Sequence, residues 1–127
     1  MYRSFRDMPV WQRAMEIAVT IHALTDSLPR KEDYGFTSQI RRSALSIPAN
    51  LAEGFGRKHA LDKINFYLHS RGSLTETQSH LEYGLRVGYV RAEDAAYLDS
   101  QLSSLHYDVN KLISGIASRI SRNESKG

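Results

Sequence analysis

Several residues in this chain could do chemistry, but none stands in the company that chemistry needs. His69 and His80 fall on one face of a helix, yet an offset of eleven residues at about 1.5 Å each separates them by about 16 Å. One metal ion cannot span that distance. The paired Glu-x-x-His elements that build metal centres between helices do not occur. Ser73, Thr75 and Glu76 lie together without the ordered base and orienting partner that turn a hydroxyl into a nucleophile. Gly54-Phe55-Gly56 imitates part of a phosphate-binding turn, but it follows a helix rather than a strand and lacks the third glycine. Cysteine is absent, which excludes thiolate zinc sites and a disulfide framework. The expectation is a protein with no catalytic residues, metal or cofactor, acting by binding.

The candidates for binding are cationic: Arg3 and Arg6 near the start, Arg41 and Arg42 early in a helix, Arg57, Lys58 and Lys63 around a glycine-rich turn, and Arg119 and Arg122 near the end. Adjacent arginines point about 100° apart on a helix, so at most one of Arg41 and Arg42 faces a core. A polar stripe through Gln39, Ser43, Ser46, Asn50, Glu53 and Arg57 is too small and uncharged in its middle for an ordinary exposed face. Glu53, Arg71 and Glu76 sit on or beside apolar stripes and are expected to pair across two helices, because a charge buried alone costs several kcal/mol. Trp11 reads as a core or interface anchor.

The elements that position these residues follow from apolar periodicity. Val10, Ala14, Ile17, Ile21, Leu24 and Leu28 predict a helix over about 8–28, with Asp7 as N-cap, Pro9 in the first turn and Leu28-Pro29 as the stop. Thr37, Ile40, Ala44, Ile47, Leu51 and Phe55 predict one over 37–55, N-capped by Thr37 and bent but not broken by Pro48. Leu61, Ile64, Leu68, Leu74, Leu81 and Leu85 predict a third over 60–88, in line with Arg71 and Gln78 and capped by Gly88. Ala95, Leu98, Leu102, Leu105, Val109, Leu112, Ile116 and Ile120 predict a fourth over 92–120, opened by Glu93 and Asp94 at the positive end of its dipole. Residues 121–127 read as a loose tail. The 127 residues suit one domain, 41% hydrophobic and 24% charged, which is a folding composition. Charges interrupt the N-terminus and no stretch approaches the ~20 apolar residues of a membrane span, so the expected location is the cytoplasm, away from membranes.

Short connections between long helices predict an all-α, antiparallel up-down-up-down four-helix bundle. That topology would bring the chain start, the turn between the second and third helices, and the chain end to one pole. The pole carries Arg3, Arg6, Arg57, Lys58, Lys63, Arg119, Arg122 and Lys126 against Asp7, Glu53, Asp62 and Glu124, a surplus of four positive charges. The other pole is net negative, so a formal charge of only +3 conceals a polarised molecule. A basic end is the footprint of a phosphate-backbone binder.

Val10-Trp11-Gln12, the run YGFTSQIRRSALSIPANLAEGFGR from Tyr34 to Arg57, Arg71-Gly72-Ser73-Leu74 with Glu76, and Gly88-Tyr89 resemble a known family. It is the four-helix-bundle family of proteins encoded in intervening sequences of bacterial large-subunit ribosomal RNA genes, itself similar to the accessory variability protein of diversity-generating retroelements. His69-Ser70 stands where that family has alanine-rich residues. The resemblance implies a homopentameric ring without enzymatic activity. It also implies a basic surface for nucleic acid and, from the retroelement relatives, a reverse transcriptase as protein partner. With it, the polar stripe reads as a subunit interface. Two functions follow as expectations: an accessory protein binding structured RNA at the basic pole, or an adaptor ring that recruits a protein through Trp11, Tyr2 or Tyr107.

Overall fold

Each periodic stretch becomes a helix. In the computed structural model, which describes residues 1–126, the α-helices are α1 (Pro9–Leu24), α2 (Phe36–Phe55), α3 (Ala60–Arg86) and α4 (Ala92–Lys126). There is no strand among the described residues. Gly127 of the expected tail and the side chains of residues 125 and 126, including Lys126 of the basic pole, lie outside the described residues. The tail itself needs correction: α4 runs on past the expected end at residue 120, as far as Lys126.

Helix ends are set by contacts that periodicity does not encode. Asp7 caps a short 3₁₀ turn, Phe5–Asp7, rather than α1; its carboxylate accepts from the backbone of Ser4 while Ser4 Oγ accepts from Arg6. Pro9 then opens α1 as expected. The helix stops at Leu24, short of Leu28, with Thr25 at its C-cap, where the hydroxyl donates to the Ile21 carbonyl at 2.8 Å. Thr37 is not the cap of α2 either. Gly35 takes that position, Thr37 is buried in the first turn, and the carboxylate of Glu32 accepts from the Phe36 N–H at 3.2 Å. Helix α2 passes through Pro48 as one element. At the end of α3, Gly88 adopts φ +84°, and two backbone bonds, Gly88 to Leu85 and Tyr89 to Gly84, complete the left-handed cap that glycine makes easy.

One core joins all four helices: Ala14, Ile17 and Ile21 of α1, Ile40, Ala44, Ile47 and Leu51 of α2, Leu74 and Leu81 of α3, and Leu98, Leu102, Leu105 and Val109 of α4. The stripes of α1, α2 and α4 are those expected; α3 is different. Leu61 is 71% exposed and Leu68 38%, while Tyr67, Ser70, Leu74, Thr77, Leu81 and Gly84 are buried at alternating spacings of three and four. A count of apolar residues overlooks this face because half of it is glycine and hydroxyls.

Those small residues let α3 approach α2 closely. A Cβ on Gly54 would come within 2.5 Å of the Tyr67 ring, and hydroxyls fill the rest of the seam. Thr77 Oγ1 lies 2.8 Å from the Ser73 carbonyl and 2.9 Å from Ser43 Oγ, and His80 Nδ1 lies 3.1 Å from Ser43 Oγ. If His80 carries its proton on Nδ1, each of these hydroxyls both donates and accepts. Ser73 donates to Ser46, which also accepts from Asn50, and Ser70 donates to the Ile47 carbonyl at 2.9 Å. Ser70 therefore fits in an alanine-like position by having its hydroxyl satisfied. Thr37 Oγ1 is the one buried side-chain polar atom without a partner among the described residues.

Candidate nucleic-acid interface

The fold gathers the chain start, the α2–α3 turn and the last turns of α4 around one cavity of about 420 Å³. Its floor is apolar: Met8, Phe55, Ala60, Tyr67, Leu112, Ile116 and Ile120. Its polar lining is Tyr2, Lys58, Lys63, Arg119 and Asn123, with no Asp or Glu. Of the basic residues predicted for the pole, Lys58, Lys63 and Arg119 line this concave site, and Arg3, Arg6, Arg57 and Arg122 do not.

They do not all remain available. Lys63 donates to the Gly54 carbonyl at 3.2 Å and the Phe55 carbonyl at 2.8 Å, so it caps the C-terminus of α2, where carbonyls lack helical partners. Partial burial lowers its pKa. Arg57 pairs with Glu53 one turn back at 3.4 Å and lies over the Phe66 ring at 4.5 Å. Arg6 covers the Phe5 ring at 4.5 Å, and Arg3 is exposed beside the 3₁₀ turn. Lys58 is exposed at the mouth, the side chain of Arg119 donates to the Gly115 carbonyl at 3.4 Å, and Arg122 is exposed one turn further along α4.

Arg41 belongs elsewhere. Its guanidinium donates to Thr25 Oγ1 at 2.8 Å and to the His22 carbonyl at 3.0 Å, tying α2 to the end of α1. Arg42 beside it is exposed, as the 100° offset requires.

The expected pairing of Glu53, Arg71 and Glu76 does not form. Glu53 and Glu76 are exposed, and Arg71 donates across to Asn110 of α4 at 2.9 Å. Each acid keeps its water, so no buried charge needed neutralising. The polar stripe is also redistributed: Ser43 and Ser46 are consumed by α3 within the same chain, Asn50 folds back on Ser46, and Gln39 and Glu53 remain exposed. Trp11 is half-buried, edge-on to Phe5 at 5.0 Å.

Two contacts escaped sequence reasoning. Arg13 bridges α1 to α4 through Asp108 and Ser104. Glu32 accepts from the Tyr89 hydroxyl at 2.8 Å as well as from Phe36, and these bonds, the hydroxyl's first, hold its carboxyl below the ordinary range. The same bond raises the Tyr89 phenol. Only residue type could have hinted at either pair, because the partners are far apart in the chain.

The description of the 23S rRNA-intervening sequence protein family matches residues 6–111. The chain belongs to that family. It is similar in fold to a crystal structure, at 1.70 Å resolution, of a protein of unknown function from the S23 ribosomal protein family of Bacteroides thetaiotaomicron VPI-5482. The two are 23% identical with a TM-score of 0.74, over 82% of this chain and 97% of the other. No curated protein matches the chain. Among the described residues, no helix is long and apolar enough to cross a membrane.

Proposed function

We propose that this member of the 23S rRNA-intervening sequence family is a non-enzymatic, cytoplasmic accessory protein that binds structured RNA through its phosphate backbone. The observation that carries the reading is the cavity mouth, where Lys58 and Arg119 come together from distant segments with no acidic lining. Phosphate contacts of this kind position a polyanion without reading its sequence. Ser43 opposite Thr77, Ser46 opposite Ser73 and Ile47 opposite Ser70 support an antiparallel course for α2 and α3. Arg71 opposite Asn110 and Gln78 opposite Ser103 support the same for α3 and α4, hence an up-down-up-down bundle. Assembly into a homopentameric ring, which rests on the family resemblance, would repeat the basic mouth and multiply weak contacts.

The test is a titration of a folded RNA fragment at rising salt. The logarithm of affinity should fall linearly with the logarithm of salt, by about 0.7 to 0.9 for each phosphate engaged. Changing Lys58, Arg119 and Arg122 together to Glu should abolish binding; unaltered affinity of that variant would end the proposal.

A second reading, an adaptor that recruits a protein such as a reverse transcriptase, is favoured by a different surface. Val19, 60% exposed, and Leu45, 57% exposed, flank a groove between α1 and α2 with Met15, Ala18, His22 and Arg41. Capture of a protein that survives nuclease treatment and is lost on Val19→Asp would favour it over the RNA reading.

A further inference from the structure

The cavity holds more than a phosphate-binding rim needs. A polyanion gripped by backbone alone requires only surface cations, whereas this mouth opens onto a floor containing Phe55, Tyr67, Leu112 and Ile116. About 420 Å³ lies in the range of small-molecule sites. Tyr67 is only 2% exposed, and its hydroxyl has no hydrogen-bond partner among the described residues although it lines the cavity. A phenol that lines a cavity with no protein partner for its hydroxyl can take a ligand's donor or acceptor.

We propose that this cavity takes one unpaired nucleobase of a single-stranded RNA segment, with the flanking phosphates on Lys58 and Arg119. Two features select this occupant over an acyl chain. The cations stand on different elements, Lys58 in the α2–α3 turn and Arg119 on α4, so a strand that carries a phosphate before and after the inserted group has two separate cations to meet. A fatty acid has one charged end and offers the Tyr67 hydroxyl nothing. A base supplies both a face to stack against aromatic walls and a polar edge. The inference rests on the RNA reading above and adds to it the state of the nucleotide bound.

The experiment measures fluorescence anisotropy of the intact protein with a labelled oligouridylate. The same strand annealed to its complement and the same backbone made abasic serve as comparisons. Stacking of one base predicts that the single strand binds on the order of tenfold more tightly than the abasic one. Ala60→Phe, which fills the cavity at the first residue of α3, should erase that preference and leave binding of the duplex unchanged. Photocrosslinking of a 4-thiouridine strand to the unaltered protein gives a second readout, expected on the segment from Phe55 to Tyr67, and decides alone if the variant does not fold. Equal affinity for all three probes, or crosslinks away from that segment, would overturn the pocket and leave a phosphate-binding surface. No binding to any probe at low salt would overturn both.

Discussion

The turns at the two ends of the molecule are built from similar aromatic residues and finished in opposite ways. Where the α1–α2 connection meets the α3–α4 turn, Phe36 packs between Tyr83 and Tyr89 at ring distances of 5.7 and 5.6 Å, and Gly84 leaves room for it beside Val90. The Glu32–Tyr89 bond then fastens the two connections together. Where the α2–α3 turn meets the chain start and α4, Phe55, Tyr67 and Tyr2 surround open space and the charged neighbours are cations. Both ends have a glycine that admits a ring, Gly84 for Phe36 and Gly54 for Tyr67, but only the closed end adds an acid that accepts from a phenol. Where the lining lacks that acid, apolar surface and positive charge are left for something else to cover.

The difference can be broken most forcefully at the closed end. A Cβ on Gly84 would come within 2.7 Å of both Phe36 and Val90, so Gly84→Ala should destabilise the fold by about 1–3 kcal/mol, as overpacking does. Chemical denaturation will measure it, and an unchanged midpoint would mean the aromatic plug is loose. Tyr89→Phe should have a smaller effect with a pH signature. Glu32 has a lowered pKa, so its contribution is present above the ordinary value of 4.5 and is lost as pH falls through the folded value. Tyr89 has a raised one, so its contribution is present below 10.0 and is lost as pH rises through the folded value. The stability gap between wild type and Tyr89→Phe should therefore be constant near neutrality and narrow at both extremes. A gap independent of pH would show that the hydroxyl matters only through packing. At the open end, Lys58→Glu should change stability by no more than about 0.5 kcal/mol, because the side chain is exposed and has no hydrogen-bond or ion-pair partner among the described residues. On the proposed function the same substitution should weaken RNA binding, which would separate the end that holds the molecule together from the end proposed to bind.

Sequence periodicity was a sufficient guide wherever the buried face was apolar, as in α1, α2 and α4. It failed on α3, where Ser70, Thr77 and Gly84 face inward and Leu61 and Leu68 face out. Small residues are chosen there for how closely two backbones approach, and hydropathy does not record distance. The site was legible to a similar degree. Residue type picks out Lys58 and Arg119, which line the cavity, and Arg122, which is exposed outside its lining, but it picks out equally Arg41 and Lys63, which are spent on the last carbonyls of α1 and α2.

The residues alone determined that this chain forms four long helices around one apolar core, because 3.6-residue periodicity is a local property that survives any arrangement of the rods. Tertiary structure decided which cations stay free, which hydroxyls satisfy one another, and that one end closes on an aromatic plug while the other keeps a cavity. Those outcomes depend on distances between segments far apart in the chain, and only packing sets them.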